Sequence, residues 1–163
     1  LRYDMGTGRD LYRRSLYVYW KRSAPLPSLL AFDAPTREKC SVERQRTNTP
    51  LQALVVMNDV QFVEAARVLA QRVLSEAKGS FRARLDHAFL LVCAQPADEL
   101  RHEVFAELYE SQLAVFRARP ERALELLSFG EHPRAANLDP AEHAAWTVIA
   151  SAILNLDEVL TIE

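Results

Sequence analysis

The sequence predicts an all-α protein: a single helical domain, residues 1–163, folded as an irregular helical bundle of five to seven helices with a long ordered Pro-rich loop. Only four glycines occur in the 163 residues, which disfavours a turn-rich β sandwich. Apolar residues recur at steps of three and four through most of the chain, as on a helix face. One run, residues 16–20, is rich in strand formers, but a lone strand would leave its backbone groups unpaired.

Charge and hydropathy narrow the classes of partner. Twenty Lys and Arg residues oppose twenty-two Asp and Glu residues. Nonspecific nucleic-acid binding needs an excess of basic charge, so we expect no nucleic-acid partner. No apolar run approaches the roughly 20 residues that cross a bilayer, so we expect no membrane span. The chain opens without Met or a signal-peptide pattern, and we interpret it as a fragment of a longer protein.

The first predicted helix covers residues 10–22. Tyr12, Leu16, Tyr19 and Trp20 fall on one helical face, with basic residues on either side of it. The strand-forming run within this segment has no second run to pair with. A helix is therefore the prediction for this segment.

A long connection, residues 23–47, follows and is punctuated by Pro25, Pro27 and Pro35. Loops of this length inside a compact domain are uncommon and are usually functional or disordered. Apolar side chains near its middle are expected to hold it against a core, with one helical turn at residues 28–32. These side chains are Leu29, Leu30 and Phe32.

The best helix start in the chain is at Thr49. Thr49 can cap the helix, Pro50 suits its first position, and Gln52 can reach back to complete a capping box. Asp59 can cap a second helix that ends before Gly79, and whether the chain bends at Asp59 stays open. The apolar stripe of that second helix is Phe62, Ala66, Leu69 and Val73.

Three further helices are expected after Gly79. Ser80 caps the first, residues 98–118 form the second, and residues 120–129 form a shorter third that ends at Gly130. Two apolar rows on the second predict a helix packed on more than one side. The stripe of the first is Phe81, Leu85, Phe89 and Val92; the rows of the second are Leu100, Val104 and Leu108, and Phe105, Tyr109, Leu113 and Phe116.

The last predicted helix repeats the capping pattern found at Thr49. Asp139 supplies the capping side chain, Pro140 takes the first helical position, and Glu142 stands three residues after the cap. Its apolar residues alternate in steps of three and four, which is typical of a core stripe. They are Trp146, Ile149, Ile153, Leu156 and Leu160.

Residues 33–59 hold the densest run of polar side chains. In one hypothesis, the arginines of this segment bind an anionic or carbonyl-bearing ligand through bidentate contacts. In the structural hypothesis, they satisfy loop carbonyls and pair with neighbouring carboxylates. The side chains concerned are the arginines Arg37, Arg44 and Arg46 and the acids Asp33, Glu43 and Asp59.

Few other side chains form a catalytic or metal-binding pattern. A nucleophilic Cys40 would need a nearby general base, usually His, and all four histidines are distant in sequence. Neither H-E-x-x-H nor C-x-x-C occurs, so we expect no metal site. Cys40 and Cys93 are predicted to be free or buried thiols, and a disulfide between them stays open.

Three further side chains receive structural interpretations. His102, flanked by Glu99 and Glu103, is typical of a solvated helix face. Asp157 and Glu158 are neighbours that do not share a helix face, so an ion pair with the loop arginines is expected rather than acid–base catalysis.

The chain also resembles a known family through the pattern FDAP-x-R-x-x-C-x-V-x-R-x-R-T-N-T-P-L-Q-A-L, residues 32–54. This pattern is similar to the C-terminal part of the planctomycete domain of unknown function 1553. The tail DPAEHAAWTVIASAILNLDEVLTIE is similar to that family's closing segment. Val60 departs from the family, which often has Pro there. The motif residues give the candidate ligand-binding set: Asp33, Arg37, Cys40, Arg44, Arg46 and Asn48.

The resemblance implies a context and no reaction. Such domains close large exported proteins, which implies that this chain is a C-terminal fragment of a larger multidomain protein with a periplasmic or cell-envelope location. They usually follow a sister domain, and often a cytochrome-c-like domain that carries the haem, so no cofactor is expected in this segment. Carbohydrate-binding-like modules accompany some of them.

Three hypotheses about function follow, and whether the chain is an enzyme stays open. The first is a structural module that docks on the upstream domain of the same polypeptide. The alternative is half of a composite ligand or active site for a glycan-related substrate, with the Arg-rich loop as anchor. The third is an electron-transfer surface for the cytochrome domain, and its only basis is that such a domain often accompanies the family.

Overall fold

The computed structural model describes residues 6–21, 23–42 and 47–161. Over these residues the regular structure is helical, with eight α-helices, six of them of eight or more residues, and no strand. The predicted all-α helical bundle is confirmed. The chain divides into two compact units, Leu1–Val55 and Val56–Glu163, which are described separately. The single domain expected from the sequence stays a prediction.

The N-terminal unit begins with two short 3-10 helices, Gly8–Tyr12 and Ser15–Tyr17. The predicted continuous helix over residues 10–22 is wrong. Arg13 and Arg14 between the two turns have extended backbone, with ψ of 141° at both. The side chain of Arg37 also binds the carbonyl oxygens of Ser15 and Val18, which an α-helix would use for its own hydrogen bonds.

The Pro-rich connection contains one short helix, α1 (Pro27–Ala31), close to the expected turn at residues 28–32. Pro27 occupies its first turn, where a missing N–H costs nothing. Leu29 and Phe32 are half-buried, but Leu30 is exposed, as are residues 36–42. The described connection is therefore partly packed between Pro25 and Pro35 and solvent-facing over residues 36–42.

Helix α2 (Pro50–Asn58) starts with the predicted capping box. The Thr49 N–H donates to Oε1 of Gln52 at 2.9 Å, and the Gln52 N–H donates to Oγ1 of Thr49 at 3.3 Å. Asp59 then adopts an extended conformation, ψ 132°, and accepts a hydrogen bond from the Gln61 N–H. The chain therefore breaks at Asp59, which caps α3 (Val60–Glu76) as predicted, without the proline that the family often has at Val60.

The C-terminal unit contains α3 and five further helices. These are α4 (Phe81–Cys93), α5 (Glu99–Ala118), α6 (Pro120–Leu127), α7 (Pro140–Leu154) and α8 (Asp157–Leu160). The predicted caps are confirmed, since Ser80 accepts from the Ala83 N–H and Asp139 accepts from the Glu142 N–H. Each cap satisfies a backbone donor that would otherwise lack a partner in the first turn.

Helix α7 is the centre of the C-terminal unit and packs against α3, α4, α5, α6 and α8, most extensively against α3. Trp146, Ile149 and Ile153 of the predicted stripe are fully buried. Alanines occupy the other faces of α7, where Ala144, Ala145 and Ala150 are also buried. Small side chains let neighbouring helices approach, so α7 is surrounded rather than packed on one side. The prediction that Leu156 and Leu160 continue this stripe is wrong, because α7 ends at Leu154 and the helix breaks at Asn155, which places both leucines at the start and end of α8.

Helix α5 is packed differently from the expectation that both of its apolar rows would be covered. Its row containing Phe105, Leu113 and Phe116 is buried. The other row is largely solvent-facing, with Leu100 68% and Val104 55% exposed. The sequence spacing identified both rows, but tertiary packing covers one of them.

Candidate functional site

Two of the six candidate residues, Asp33 and Arg37, line the same cleft in the N-terminal unit. The cleft has a volume of about 380 Å³. Its walls combine these two charged residues with side chains from the 3-10 turn and from around α1. The further lining residues are Ser15, Leu16, Leu29, Phe32, Ala34 and Pro35.

Arg37 is bound to the backbone of the N-terminal segment. Its Nη2 donates to the Ser15 carbonyl oxygen at 2.9 Å, and its Nη1 donates to the Val18 carbonyl oxygen at 3.2 Å. The guanidinium carbon lies 5.7 Å from the centre of the Trp20 ring, a cation–π contact. These contacts agree with the structural hypothesis, in which a loop arginine satisfies main-chain acceptors.

Asp33 is bound to the start of α2. The Thr47 hydroxyl donates to the Asp33 carboxylate, and the Gln52 side-chain amide donates to Oγ1 of Thr47 at 3.1 Å. Gln52 is 2% exposed, so it joins the capping box of α2 to the carboxylate of the cleft as a buried link. Sequence reasoning identified Gln52 as a cap and missed this second contact. The polar pair Thr47 and Gln52 at i, i+5 was the available signal.

Backbone conformation also distinguishes the cleft. Asp33 and Arg37 have φ of 52° and 61°, in the left-handed region. Asp tolerates this region because its short side chain can bond locally, whereas Arg has no such advantage. Non-glycine residues in this region store strain of about 1–3 kcal/mol each and cluster at functional sites. The surrounding contacts must therefore hold Arg37 in place.

Of the four other candidate residues, the structure describes two, and neither lines this cleft. Cys40 and Asn48 are exposed, and neither is among the residues that line it. Arg44 and Arg46 lie outside the described residues. Cys40 and Cys93 are free thiols. Burial and a hydrogen bond to Glu158 raise the pKa of the Cys93 thiol, which makes it a poor nucleophile.

The histidines have structural partners, and the prediction for His102 is wrong. His102 is buried, and its Nε2 lies 2.9 Å from Oδ1 of Asp86 on α4. His87 lies 3.1 Å from Glu76. Within residues 6–21, 23–42 and 47–161, no group of three His, Cys, Asp or Glu side chains is placed to bind a metal ion.

Glu158 forms an ion pair, although its partner is not a loop arginine. Nη2 of Arg101 on α5 donates to its carboxylate at 2.8 Å. The pair holds α8 on α5, and the Arg101 guanidinium also lies over the Phe89 ring at 5.2 Å. Asp157 and Glu158 thus remain interpreted as structural rather than as an acid–base pair.

A second polar cluster, unforeseen from the sequence, is buried in the C-terminal unit. Arg67 of α3 is 1% exposed, and its Nε and Nη2 donate to the carbonyl oxygens of Phe129 and His132 at 3.1 and 2.6 Å. Glu64 accepts from the His132 N–H at 2.5 Å, and Gln71 accepts from the Ala135 N–H at 2.9 Å. We call Glu64, Arg67 and Gln71 the α3 clamp, because their spacing places them on one face that binds the α6–α7 loop (residues 128–139).

Comparison with known protein families identifies the family of the chain. The family model described as PSD1, protein of unknown function (DUF1553), matches residues 2–109. The chain belongs to this family. The DUF1553 match covers the cleft, all six candidate residues and the chain up to Tyr109 within α5. The closing segment that contains α7 and α8 lies beyond the matched residues, and its expected likeness to DUF1553 stays a prediction.

Other comparisons add no relative. Comparison with curated proteins and with solved structures gave no match. Within the described part of the DUF1553 chain, no helix is both long and apolar enough to span a membrane.

Proposed function

We propose that the chain is a structural helical module that docks on the domain preceding it in the same exported polypeptide. The observation that carries the proposal is an exposed apolar segment, residues 12–19, in the N-terminal unit. Tyr12, Leu16, Tyr17 and Tyr19 are 60%, 67%, 66% and 76% exposed. Exposed apolar side chains concentrated in one short segment are typical of interaction sites, and Tyr is enriched in such interfaces.

The charges around this segment define the surface that it would contact. Residues 9–22 contain five basic side chains and one acid, Asp10. Asp10 is already paired with Arg13 at 2.6 Å. A partner surface with an apolar centre and an acidic rim would complement the segment, because opposite charges steer and orient docking.

Arg37 supports this proposal as the side chain that fixes the segment's shape. Its two hydrogen bonds join residue 37 to the carbonyl oxygens of Ser15 and Val18, both within the exposed segment. A segment held in one conformation before binding loses less entropy when it docks. The family motif residue would then act on the docking surface rather than on a substrate. The periplasmic or cell-envelope location implied by the family resemblance is part of the proposal.

Hydroxyl-radical footprinting of the intact polypeptide tests the docking. We expect Tyr12, Tyr17 and Tyr19 to be oxidised much more slowly than their exposure in this chain allows, because the preceding domain covers them. Phe129, 42% exposed on the C-terminal unit, serves as the reference. Oxidation of all three tyrosines at the rate set by free exposure would overturn the proposal.

Charge substitution in the same intact polypeptide gives a second test. Leu16→Asp combined with Tyr19→Asp places two carboxylates in the segment, and we expect faster limited proteolysis between the two domains. Leu124→Asp, at a 50% exposed position on α6, is the matched control and should leave the cleavage rate unchanged. Equal effects from both variants would argue against docking through residues 12–19.

The cleft supports a second candidate function, binding of a glycan-related ligand as half of a composite site. Its lining pairs a carboxylate, Asp33, with a guanidinium, Arg37, beside apolar walls. A sugar hydroxyl both donates and accepts hydrogen bonds, so one ligand could contact both groups while its C–H faces pack on the apolar wall. The strained backbone at these two residues favours a function beyond packing.

Calorimetric titration of the intact polypeptide with oligosaccharides tests this candidate. Asp33→Asn keeps the shape and an acceptor for the Thr47 hydroxyl while removing the charge, and we expect it to weaken binding tenfold or more. Asp10→Asn, an exposed acid outside the cleft, is the control. Binding that is identical in Asp33→Asn and in the unaltered protein, or no binding at all, would exclude the cleft.

A further inference from the structure

We propose that the α6–α7 loop is a latch that acid releases, with His143 in the first turn of α7 as its trigger. The α3 clamp holds the loop through hydrogen bonds to the loop backbone. Glu64, Arg67 and Gln71 bond the main chain of Phe129, His132 and Ala135. Since these contacts converge on one face of α3, a change at Arg67 affects the whole attachment.

His143 is bonded to the main chain of the clamp residue Arg67. The ring is fully buried, and its Nε2 lies 3.0 Å from the carbonyl oxygen of Arg67. Because a carbonyl only accepts, Nε2 carries the hydrogen and Nδ1 of the neutral ring is bare. Nδ1 is buried and has no hydrogen-bond partner among the described residues. A proton added to Nδ1 would therefore be a buried donor without an acceptor, which costs free energy.

The charges that face the ring make this proton still less favourable. Burial is the largest effect on the pKa of His143 and lowers it, the hydrogen bond to the Arg67 carbonyl opposes this, and the cations Arg67 of α3 and Arg134 of the loop lower the pKa further. Glu64, the carboxylate of the clamp, is already bonded to the His132 N–H, and Nη2 of Arg67 lies 3.8 Å from it. Glu142 of α7 is bonded to Arg84 of α4 at 2.6 Å.

The remaining neighbours of α7 supply few compensating anions. Helices α5 and α6 pack against it with apolar residues and the phenol of Tyr109. Asp157 and Glu158 of α8 lie at its opposite end, and Glu158 is paired with Arg101. The loop contributes Glu131 and His132, both exposed, and Asp139, which caps α7. A protonated His143 would thus be a third cation beside two guanidinium groups.

The direction of the effect follows from linkage. Burial and the two cations depress the pKa of His143 in the latched state. In the proposed released state, Arg134 leaves with the loop and water reaches the ring, so the pKa of His143 moves towards the ordinary His value of about 6.5. Above about pH 6.5 the ring is neutral in both states and the latch keeps its full stability. As the pH falls from about 6.5 towards the pKa of His143 in the latched state, a proton binds His143 in the released state. The equilibrium constant for closing the latch then falls by up to about tenfold per pH unit.

Hydrogen exchange on the full chain tests the proposal, with protection factors corrected for the intrinsic rate at each pH. We expect protection at the amides of His132 and Ala135 to fall by roughly tenfold per pH unit below pH 6.5, while protection in the middle of α7 changes little. His143→Gln keeps a donor for the Arg67 carbonyl and has no titrating group, so it should make protection of these amides independent of pH.

Two further variants complete the test. Arg134→Met removes one of the cations beside the ring and should reduce the loss at pH 5. His132→Gln replaces the exposed histidine of the loop and should leave the pH dependence unchanged. The proposal is overturned if His143→Gln retains the pH dependence, if His132→Gln abolishes it, or if the amides of α3 and α7 lose protection together with those of the loop.

Discussion

Gly130 lies against the side chain of Glu64 with its backbone in the left-handed region, φ 87°. A Cβ at position 130 would lie 2.6 Å from the Cβ of Glu64, too close for two carbon atoms. The contact brings the α6–α7 loop close enough for Glu64 to accept the His132 N–H. A helix terminator in the sequence is thus also the point at which the loop meets α3.

Gly130→Ala is expected to lower the free energy of unfolding by about 2–4 kcal/mol, from backbone strain and overpacking together. Urea unfolding of the full chain measures the loss. Gly79→Ala is the control, because Gly79 also has positive φ, 123°, but its nearest neighbour would lie 3.9 Å away, at the Cβ of Ala83. Equal losses in both variants would mean that the Glu64 contact contributes nothing.

Arg67→Met is expected to lower the free energy of unfolding by about 3–5 kcal/mol, because it leaves the buried Glu64 and two part-buried loop carbonyls without their cation. The matched control is Arg72→Met on the same helix. Arg72 is exposed and pairs with Glu76 at 2.8 Å, so its loss should cost less than about 1 kcal/mol. A loss below about 1 kcal/mol for Arg67→Met in urea unfolding would contradict the role assigned to the clamp.

Asp139→Ala is expected to cost about 1 kcal/mol, because Asp139 accepts the Glu142 N–H at 2.8 Å and thereby caps α7. Asp139→Asn keeps a capping oxygen and should retain most of the stability. Thermal unfolding followed by circular dichroism compares the two variants. If both were equally destabilised, charge rather than capping would be the cause.

Cys93 is expected to react with iodoacetamide at least about tenfold more slowly than Cys40 at pH 8. Cys40 is exposed, whereas burial and the hydrogen bond to Glu158 raise the pKa of the Cys93 thiol and reduce its thiolate fraction. Mass spectrometry of the two peptides over time gives both rates. Glu158→Gln should speed the reaction of Cys93 and leave that of Cys40 unchanged; an unchanged Cys93 rate would exclude the contribution of Glu158.

Arg37→Lys is expected to increase hydrogen exchange at the amides of Tyr17 and Val18, whose hydrogen bonds close the Ser15–Tyr17 turn. One ammonium does not reproduce the fork that spans two carbonyl oxygens. Arg13→Lys, at an exposed position paired with Asp10, is the control and should leave these amides unchanged. Unaltered exchange in Arg37→Lys would show that the turn holds without the guanidinium.

Local sequence was enough to determine the fold class and most helix boundaries. The capping residues Thr49, Asp59, Ser80 and Asp139 were all identified, because a cap and its helix lie within four residues of each other. The core stripe of α7 followed from its periodicity for the same reason. In the candidate site, the motif identified Asp33 and Arg37 as residues of one segment, and the structure places both on one cleft.

Only the tertiary structure determined the features that depend on contacts between residues far apart in the sequence. The helix expected over residues 10–22 is replaced by two short turns. Arg37, more than fifteen residues away, binds two of the carbonyl oxygens that such a helix would need for its own hydrogen bonds. His102 is buried because Asp86 lies on the neighbouring helix. The α3 clamp binds loop residues more than sixty positions away, and such contacts leave no periodicity in the sequence. The spacing of residues along the chain predicts local hydrogen bonds, whereas burial and long-range pairing arise only when helices pack against one another.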